Sequence, residues 1–334
     1  MQKETTIEKK EATAEKKEKK VIAGIDINKL VKKAQESYGK KEGGLARQLS
    51  TGSSIIRPSE DKDFIVWTKG DHWKTLTHLR GIPFGRIIEI SGKPDSGKST
   101  HAAAFMKFAQ DQGILVILWD SEKKFQKDRF DNKIGGCSEN LMVVDTNNIL
   151  NGAKAIAHLV NSAKEMNPDV KILIVWDSVG ASINSTEDKE DEEEYSKQPG
   201  VTAKENAYAI RKFNKLSNKY INRETGEETI ATLVINQTYA NIGSVGQTEK
   251  GGGEIYYLSS VIIQLSRKGD LTRVKGGEKY KYGIITRAKV KKNHLFDGDE
   301  CIAEMDLVIS ADGIQLAKDV KSFDDIKGWE EQEE

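Results

Sequence analysis

Residues 86–100 restrict the fold of this chain more than any other feature. The apolar run Ile87-Ile-Glu-Ile90 is followed by the pattern G-x-x-x-x-G-K-[ST] from Gly92 to Ser99, and then by apolar residues at helical spacing. A buried strand, a glycine turn and the start of a helix are the context that a phosphate-binding loop requires. Its backbone N–H groups and the helix dipole can cradle a diphosphate. The pattern predicts a nucleoside triphosphate site, whereas a glycine-rich surface turn would not need these flanks.

The positions of the loop have separate expected parts in that site. Lys98 is expected to reach the terminal phosphates and support catalysis, and the Ser99 hydroxyl is expected to ligate Mg²⁺. The residues expected to bind the nucleotide are Gly92, Lys93, Pro94, Asp95, Ser96, Gly97, Lys98, Ser99 and Thr100.

Charge is balanced over the whole chain but unevenly distributed. The 334 residues include 52 Lys plus Arg and 52 Asp plus Glu, so net charge indicates no partner. Residues 1–26 are rich in Lys and Glu and are expected to form a disordered arm. Residues 27–60, with a helical stretch from Ile27 to Ser37, precede a core expected over 61–318 and an acidic tail over 319–334.

Cysteine content and hydropathy limit the cellular location. Cys137 and Cys301 are too few for a disulfide framework or a zinc site, which favours a reducing cytoplasm. No apolar run approaches the ~20 residues that span a bilayer, and the N-terminus lacks the apolar core of a signal peptide. We therefore expect a cytoplasmic protein without a membrane partner.

Apolar runs alternate with helical patterns through the middle of the chain. Continuous apolar stretches are expected for strands that are buried on both faces. They occur at residues 113–119, 141–144, 171–176 and 229–236, and helical spacing occurs at 99–111, 152–165 and 203–223. This alternation predicts an α/β fold with a mostly parallel, twisted sheet and helices on both faces. Strand-like runs at residues 261–265, 280–288 and 301–309, separated by turn residues, predict antiparallel strands at the C-terminal side.

Carboxylates follow two of the predicted strands. Asp177 ends one strand, where it can orient Mg²⁺ together with Ser99. The preceding strand ends at Asp120, and Glu122 follows two residues later. Hydrolysis of a γ-phosphate requires a carboxylate that orients water. Glu122 is the better candidate because the first residue after a strand often caps a turn, although Glu122 could itself be a capping acid.

Amides close another predicted strand, and a glycine-rich segment follows them. Gln237 lies at the strand end, where an amide can sense a γ-phosphate. The segment Tyr239–Gly253 contains several glycines and is expected to be a mobile loop that orders around a ligand. An ordinary long surface loop is the alternative, but unstructured loops of this length are usually functional.

The ordered set of these motifs resembles RecA-type DNA strand-exchange recombinases. The set consists of the phosphate loop, Asp-x-Glu, Trp176-Asp-Ser-Val179, Asn-Gln, the glycine-rich loop and Thr286-Arg-Ala-Lys-Val-Lys-Lys-Asn-His294. The similarity extends from about Asn28 to Leu316. It implies a RecA-like ATPase core in a compact chain, in a bacterial cytoplasm or in a phage-infected host. It also implies that residues 27–60 are an oligomerisation segment.

The resemblance implies roles for individual residues. ATP and Mg²⁺ would be bound through Lys98, Ser99 and Asp177. Glu122 matches the catalytic glutamate of the family, and Gln237 matches its switch between the γ-phosphate and DNA. Three further positions concern the nucleotide: Phe130 falls near the adenine-stacking aromatic, Lys292 matches a lysine that reaches the neighbouring subunit's ATP, and His294 replaces a second such lysine.

The resemblance also implies two DNA-facing loops, at residues 186–202 and 239–253. Gly252 and Gly253 belong to the second loop. Lys204 and Arg211 match positions that contact phosphates, and their spacing of seven residues places both on one helix face. The first loop contains the acidic run Glu187–Glu194, which would repel a phosphate backbone.

Three functions fit the motifs. The first is an ATP-dependent recombination and repair protein that polymerises on single-stranded DNA as a filament and pairs it with homologous duplex DNA. The alternative is a ring-forming motor, a helicase or repair ATPase, which would need an intersubunit arginine finger from Arg267, Arg273 or Arg287. A binding protein with a vestigial ATPase is the third, and the intact Lys98, Glu122 and Asp177 argue against it.

Overall fold

The chain divides into two compact units, Met1–Arg57 and Pro58–Glu334. The computed structural model describes residues 21–22, 25–26, 29–30, 32–33, 36, 61–69, 71–186, 200–221, 226–240, 247–249, 253–296 and 304–327. In the first unit, strands β1 (Val21–Ile22) and β2 (Ile25–Asp26) form an antiparallel pair. Residues 29–30, 32–33 and 36 are helical, inside the stretch where the sequence predicts a helix. The charged residues 1–20 and the run 54–57 lie outside the described residues.

The second unit is built on a ten-stranded sheet. A separate antiparallel pair, β3 (Phe64–Val66) with β4 (Gly81–Pro83), precedes it. The strands of the large sheet are β5 (Ile87–Gly92), β6 (Leu115–Asp120), β7 (Leu141–Val144), β8 (Ile172–Asp177), β9 (Ile230–Ala240), β10 (Gln247–Glu249), β11 (Ser259–Lys275), β12 (Glu278–Asn293), β13 (Glu304–Ser310) and β14 (Ile314–Leu316). Their order is β14-β13-β12-β11-β5-β9-β8-β6-β7, and β10 pairs with β9. Pairing is parallel from β11 to β7 and antiparallel from β11 to β14. The predicted fold class is confirmed.

Helices cover both faces of this sheet. The helices of the second unit are α1 (Asp71–Thr77), α2 (Lys98–Asp111), α3 (Lys127–Arg129), α4 (Ile149–Met166), α5 (Val201–Lys219) and α6 (Gly253–Leu258). Because neighbouring strand residues point to opposite faces, the central strands contribute to two separate cores. One core contains Val116 and Leu118 with α2, and the other contains Ile117 and Trp119 with α4 and α5. Burial on both faces explains why the strands read as continuous apolar runs.

Two stacked tryptophans occupy the centre of the second core. The rings of Trp119 on β6 and Trp176 on β8 are parallel within 8°, with centroids 4.4 Å apart. Phe213 of α5 meets both rings edge-on. Helix α4 begins where the Asn148 side chain accepts a hydrogen bond from the N–H group of Asn151, and it passes close to Trp119 at Gly152. The sheet and both helices are thereby locked in one arrangement.

The C-terminal strands differ in length from the prediction. The sequence predicts strands over 261–265 and 280–288, whereas β11 and β12 run over 17 and 16 residues. Only the first part of β11, from Ser259 to Leu265, pairs with β5. The remainder pairs with β12 alone, and residues 272–281 around the turn are exposed. The prediction was too short because an exposed two-stranded hairpin has polar residues on both faces and lacks the apolar alternation of a half-buried strand.

The segment predicted as a mobile glycine loop is partly strand. β9 continues past Gln237 to Ala240, and residues 238–240 pair with β10 in an antiparallel register. The prediction of a loop over Tyr239–Gly253 is therefore wrong for Tyr239, Ala240 and residues 247–249, which are strand, and for Gly253, which begins α6. Residues 241–246 and 250–252 lie outside the described part of the chain.

Among the residues that the structure does describe, no helix is long and apolar enough to cross a membrane.

We predict that Gly152→Ala destabilises the protein by about 1–3 kcal/mol, as expected for an overpacked core. A Cβ atom at Gly152 would lie 2.1 Å from Cζ2 of Trp119, a ring that Trp176 prevents from moving away. The free energy of unfolding from urea titration measures the effect. Gly269→Ala is the control, because a Cβ atom there meets nothing within 4 Å. Equal stability of the two variants would contradict the packing explanation.

Candidate nucleotide-binding site

The phosphate loop connects β5 to α2 as the sequence predicts. Gly97 precedes the first helical residue with φ of 93°, a conformation that favours glycine. A Cβ atom at this position would also lie 2.1 Å from Cδ1 of Ile309. The carbonyl oxygen of Ser96 accepts a hydrogen bond from the Thr286 hydroxyl at 3.2 Å. The loop conformation therefore depends on glycine and on strands that come much later in the chain.

Lys98 lies inside this loop. It is buried, with 8% of its surface exposed, and its Nζ donates to the carbonyl oxygen of Lys93 at 2.8 Å. Burial lowers its pKa, while the carboxylates of Asp177, Glu122 and Asp95 act in the opposite direction. A buried ammonium needs acceptors. The carbonyl oxygen of Lys93 is one such acceptor, and a phosphate oxygen bound in the loop would be another.

Parallel pairing brings four functional strand ends to one edge of the sheet. In the register, Asp120 of β6 lies beside Asp177 of β8, and Gly92 of β5 lies beside Gln237 of β9. Ligands of open α/β sheets bind at such carboxyl ends. The phosphate loop, Asp177, Gln237 and the turn that follows Asp120 thus meet at one edge of the sheet, although they are up to 145 positions apart in the sequence.

Glu122 is the most extensively bonded carboxylate at this edge. Its Oε1 accepts hydrogen bonds from the Ser178 hydroxyl and from Gln237 Nε2, both at 2.5 Å. Its Oε2 forms an ion pair with Lys124 Nζ at 2.8 Å. Burial alone would raise the pKa of Glu122, but the hydrogen bonds from Lys124, Ser178 and Gln237 outweigh burial and lower it. The carboxylate is therefore ionised at neutral pH and already joined to Gln237.

Asp120 caps the turn that carries Glu122. Its carboxylate is buried and accepts the backbone N–H groups of Lys124, at 3.1 Å, and Phe125, at 2.9 Å. Both oxygens are committed to the turn. This agrees with the expectation that the first residue after the strand caps a turn and leaves Glu122 to face the site.

Asp177 is partly buried beside the phosphate loop. Burial raises its pKa to about 6; Glu122 and Asp120 act in the same direction, whereas a hydrogen bond with Ser99 and the charge of Lys98 oppose them. A carboxylate beside a hydroxyl fits Mg²⁺, which is usually bound through one or two carboxylates plus substrate phosphates. Ser99 and Asp177 would hold the ion. In the described residues, no cluster of three or more His, Cys, Asp or Glu side chains forms a metal cage.

These residues line a pocket of about 710 Å³, a volume in the range of small-molecule sites. One end contains the loop, Glu122, Asp177 and Gln237. The other end lies between residues 281–284 and 309–311, with Arg129 on one side. Arg129 Nη2 donates to the Thr100 hydroxyl at 2.9 Å. The pocket thus has a polar phosphate end and a second end, which is the candidate nucleoside end.

Phe130 does not line this pocket, and its prediction as an adenine-stacking ring is wrong for this conformation. It is 2% exposed and belongs to the core that contains α2. Its ring lies against Gly136, where a Cβ atom would be 2.3 Å from Cζ, and packs on Phe125. Neither ring face is open to a base. The adjacent Arg129 is the residue that reaches the pocket.

The remaining predicted residues lie away from the phosphate loop. Lys204 and Arg211 are exposed on α5, and Arg211 forms a bidentate pair with Glu254, at 2.7 and 2.9 Å. Lys292 Nζ donates to the carbonyl oxygens of Tyr256 and Tyr257 at the end of α6. His294 is exposed. Gly253 begins α6, and Gly252 lies outside the described residues.

Sequence reasoning missed three residues that the structure brings into the site. Ser178 was read as part of a strand-end motif, yet its hydroxyl binds Glu122. Lys124 and Arg129 line the pocket but lie in a segment without a clear periodic pattern. The only feature of the sequence that indicates a place in the site is their position, two and seven residues after Glu122. Lysine and arginine so close to a proposed catalytic carboxylate could have been weighed as phosphate or base contacts.

Comparison with known proteins gives a consistent picture. The RecA N-terminal domain family matches residues 64–315. The Protein RecA of Aquifex aeolicus is 29% identical over 222 residues, covering 66% of this chain and 58% of the relative. The Protein RecA of Cytophaga hutchinsonii is 30% identical over 220 residues, covering 65% and 56%. The Protein RecA of Chlamydia trachomatis is 30% identical over 220 residues, covering 65% and 57%. The chain therefore spans less than two thirds of the length of these curated relatives.

We predict that Asp177→Asn stabilises the nucleotide-free protein at pH 7 by up to about 3 kcal/mol, from a pKa raised from 3.8 to about 6. The folded protein binds a proton more tightly than the unfolded chain, so Asp177 costs stability as the pH rises from about 4 to 6. The gain should therefore disappear near pH 4, in urea titrations at several pH values.

Asp145→Asn is the control for this prediction. Asp145 is 66% exposed and pairs with Lys123 at the surface, so its replacement should change stability by less than about 0.5 kcal/mol. A stability gain of Asp177→Asn that is the same at pH 4 and pH 7 would contradict the assignment to a buried charge.

Proposed function

Because the chain belongs to the RecA family, we propose that it is a DNA-dependent ATPase that polymerises on single-stranded DNA and pairs it with homologous duplex DNA. The observation that carries the proposal is the hydrogen bond between Gln237 and Glu122. It joins the proposed catalytic carboxylate to β9, the strand that continues into the hairpin with β10. The two parts of the proposed activity, hydrolysis and DNA binding, meet at this contact.

Lys98, Ser99 and Asp177 are the proposed ligands of ATP and Mg²⁺. Lys98 contacts the terminal phosphates from within the loop, while the backbone N–H groups of Lys93 and residues 95–99 hold the diphosphate. Ser99 and Asp177 would hold Mg²⁺, which would neutralise charge on the phosphate oxygens when it is bound. Arg129 and residues 282–284 face the nucleoside end of the pocket.

Glu122 is the proposed catalytic base. Its Oε1 accepts hydrogen bonds from the Ser178 hydroxyl and from Gln237 Nε2, which orient the carboxylate. Glu122 orients a water molecule and accepts its proton as the water oxygen bonds to the γ-phosphorus. The bond to the bridging oxygen breaks, and ADP and phosphate leave. A lowered pKa keeps Glu122 ready to accept the proton at neutral pH.

Gln237 is the proposed switch between nucleotide and DNA. Its amide contacts Glu122 and Ser178, and a γ-phosphate would offer a competing acceptor in the same pocket. Movement of Gln237 would be passed along β9 to residues 238–240, which pair with β10. Segments that order around a γ-phosphate are a known means of switching.

Lys204 and Arg211 are proposed to contact DNA phosphates from α5. Both are exposed. Arg211 is paired with Glu254, the residue that directly follows the second DNA-facing loop. A phosphate would therefore have to replace Glu254 as the partner of Arg211. Gly252 and Gly253 remain proposed DNA contacts by their position in that loop.

Assembly of neighbouring subunits is proposed to use residues 27–60, Lys292 and His294. β7 ends the sheet, and its Met142 and Val143 are 42% and 45% exposed. An exposed apolar edge strand favours pairing with another chain. Residues 27–60 of the adjacent subunit supply apolar side chains for such a contact, and Lys292 and His294 would then approach the neighbour's ATP.

A ring-forming motor remains the second candidate. It requires a free arginine to act on a neighbouring subunit's nucleotide. Within the described residues, each candidate is engaged by its own subunit: Arg267 pairs with Asp270, Arg273 lies over the Phe323 ring, and Arg287 binds Asp306 and Glu304. An arginine finger would therefore have to give up a partner in its own subunit.

We predict that Lys98→Ala and Glu122→Gln fail at different steps. Lys98→Ala should weaken ATP binding strongly, because its phosphate contact exists before the reaction. Glu122→Gln should keep binding and lose about 10²–10⁴-fold in hydrolysis, the usual contribution of a positioned base. Equilibrium binding and phosphate release with single-stranded DNA measure the two effects. Lys107→Ala, a lysine on the same helix that pairs with Asp111, should change neither, and normal turnover of Glu122→Gln would move the base elsewhere.

We also predict helical filaments when the protein is mixed with single-stranded DNA and a non-hydrolysable ATP analogue. Negative-stain microscopy is the measurement, and closed rings would support the motor instead.

A chain lacking residues 1–60 should bind nucleotide but form no filaments, because the docking segment is missing. A chain lacking residues 1–20 should assemble normally, since that arm has little to bury. Filaments from the longer truncation would contradict the role of residues 27–60.

A further inference from the structure

We propose that Lys124 is a γ-phosphate ligand supplied by the same subunit and that it makes the site prefer ATP over ADP. The proposal rests on the proposed ATP site and adds a residue to it. Lys124 Nζ lies 2.8 Å from Glu122 Oε2 and lines the same pocket as Lys98 and Ser99. It therefore stands at the phosphate end, beside the carboxylate proposed to act on the γ-phosphate.

The backbone turn aims Lys124 into the pocket. Asp120 accepts the N–H groups of Lys124 and Phe125, at 3.1 and 2.9 Å, and this buried carboxylate fixes the position of the turn. Lys123 adopts φ of 54°, so the two consecutive lysines diverge. Lys123 faces Asp145, at 3.5 Å, and Lys124 faces Glu122. Only one of the pair is directed at the nucleotide site.

Lys124 differs from Lys98 in its freedom to move. Its side chain is 76% exposed, whereas Lys98 is buried under the loop. Its charge acts on Lys98, and Asp177 and Asp95 act on its own charge, which places the ammonium within the electrostatic field of the pocket. A flexible four-carbon stem allows the ammonium to turn from Glu122 toward a phosphate without movement of the backbone.

The bonding of Glu122 explains why this movement matters. Oε1 already accepts two hydrogen bonds, from Ser178 and Gln237, so Oε2 is the oxygen left for a water molecule. Lys124 occupies Oε2. When Lys124 turns to the γ-phosphate, Oε2 becomes open to water, and the ammonium also separates two negative charges that would repel each other. ADP offers no γ-phosphate, so Lys124 stays on Glu122.

The alternative is a surface ion pair with no part in nucleotide binding. Exposed pairs of this kind contribute little to stability. Such a pair would affect ATP and ADP binding equally, because neither nucleotide would contact it. Selectivity between the two nucleotides therefore separates the explanations.

The test compares equilibrium dissociation constants for ADP and for a non-hydrolysable ATP analogue, both with Mg²⁺, by isothermal titration calorimetry. The full chain is used as wild type, Lys124→Ala, Lys124→Arg and Lys123→Ala. Lys124→Ala should bind the ATP analogue about tenfold more weakly, a loss of about 1.4 kcal/mol, while ADP binding changes less than twofold. Lys124→Arg should keep most of the selectivity, because the charge remains. Lys123→Ala, the matched control, should bind both nucleotides as wild type does.

Two results would overturn the proposal for Lys124, and a third would overturn the proposed ATP site itself. Unchanged binding of both nucleotides by Lys124→Ala would identify a surface ion pair. Equal weakening of both would indicate an indirect effect on the pocket. If the wild type bound neither nucleotide, the ATP site itself would be wrong, which distinguishes that failure from a failure of Lys124 alone. Circular dichroism spectra and melting temperatures confirm that each variant is folded.

Discussion

Parallel pairing of β5, β9, β8 and β6 is the constraint on which the rest of the structure depends. Each strand ends in a different polar element: the phosphate loop, Gln237, Asp177 and the Asp120 turn. Because parallel strands all end at the same edge, one register is sufficient to collect these groups. A shift by one residue would turn each strand's side chains to the opposite face. The two cores, which separate alternate residues of every strand, oppose such a shift.

Collecting these groups places several carboxylates close together, and each has different hydrogen-bond partners. Asp120 is satisfied by backbone N–H groups, Glu122 by a hydroxyl, an amide and an ammonium, and Asp177 by a hydroxyl. As a result, the pKa of Glu122 is lowered while that of Asp177 is raised to about 6. Carboxylates with different environments can take different roles. In the proposed function, Glu122 acts as the base and Asp177, beside Ser99, as the Mg²⁺ ligand.

Several cationic groups are already paired within the subunit. Arg211 binds Glu254, Lys124 binds Glu122, and Lys292 binds carbonyl oxygens at the end of α6. In the proposed function each of these groups contacts a phosphate of DNA or nucleotide. Each contact would then be an exchange of partners rather than the capture of a free charge. Such an exchange lowers the net binding free energy that each phosphate contributes. It also opposes binding by ligands that cannot replace the existing partner.

The sequence by itself determined the position of the phosphate loop, the class of the fold and most of the central strands and helices. These follow from local spacing, since apolar periodicity and glycine placement act within a few residues. Local chemistry also indicated that Asp120, rather than Glu122, caps the turn. The likeness to RecA-type proteins likewise depended on motif order, which a sequence contains directly.

Only the tertiary structure decided which side chains meet. Phe130 was predicted to stack on a base, yet Phe125 and Gly136 cover its ring. Gln237 and Glu122 are 115 residues apart, and Arg211 and Glu254 are 43 apart, so strand order and helix packing create these contacts. Residues 238–240 became strand because β10 supplied hydrogen-bond partners. Such outcomes depend on distant parts of the chain competing for the same surfaces, and local spacing contains no information about that competition.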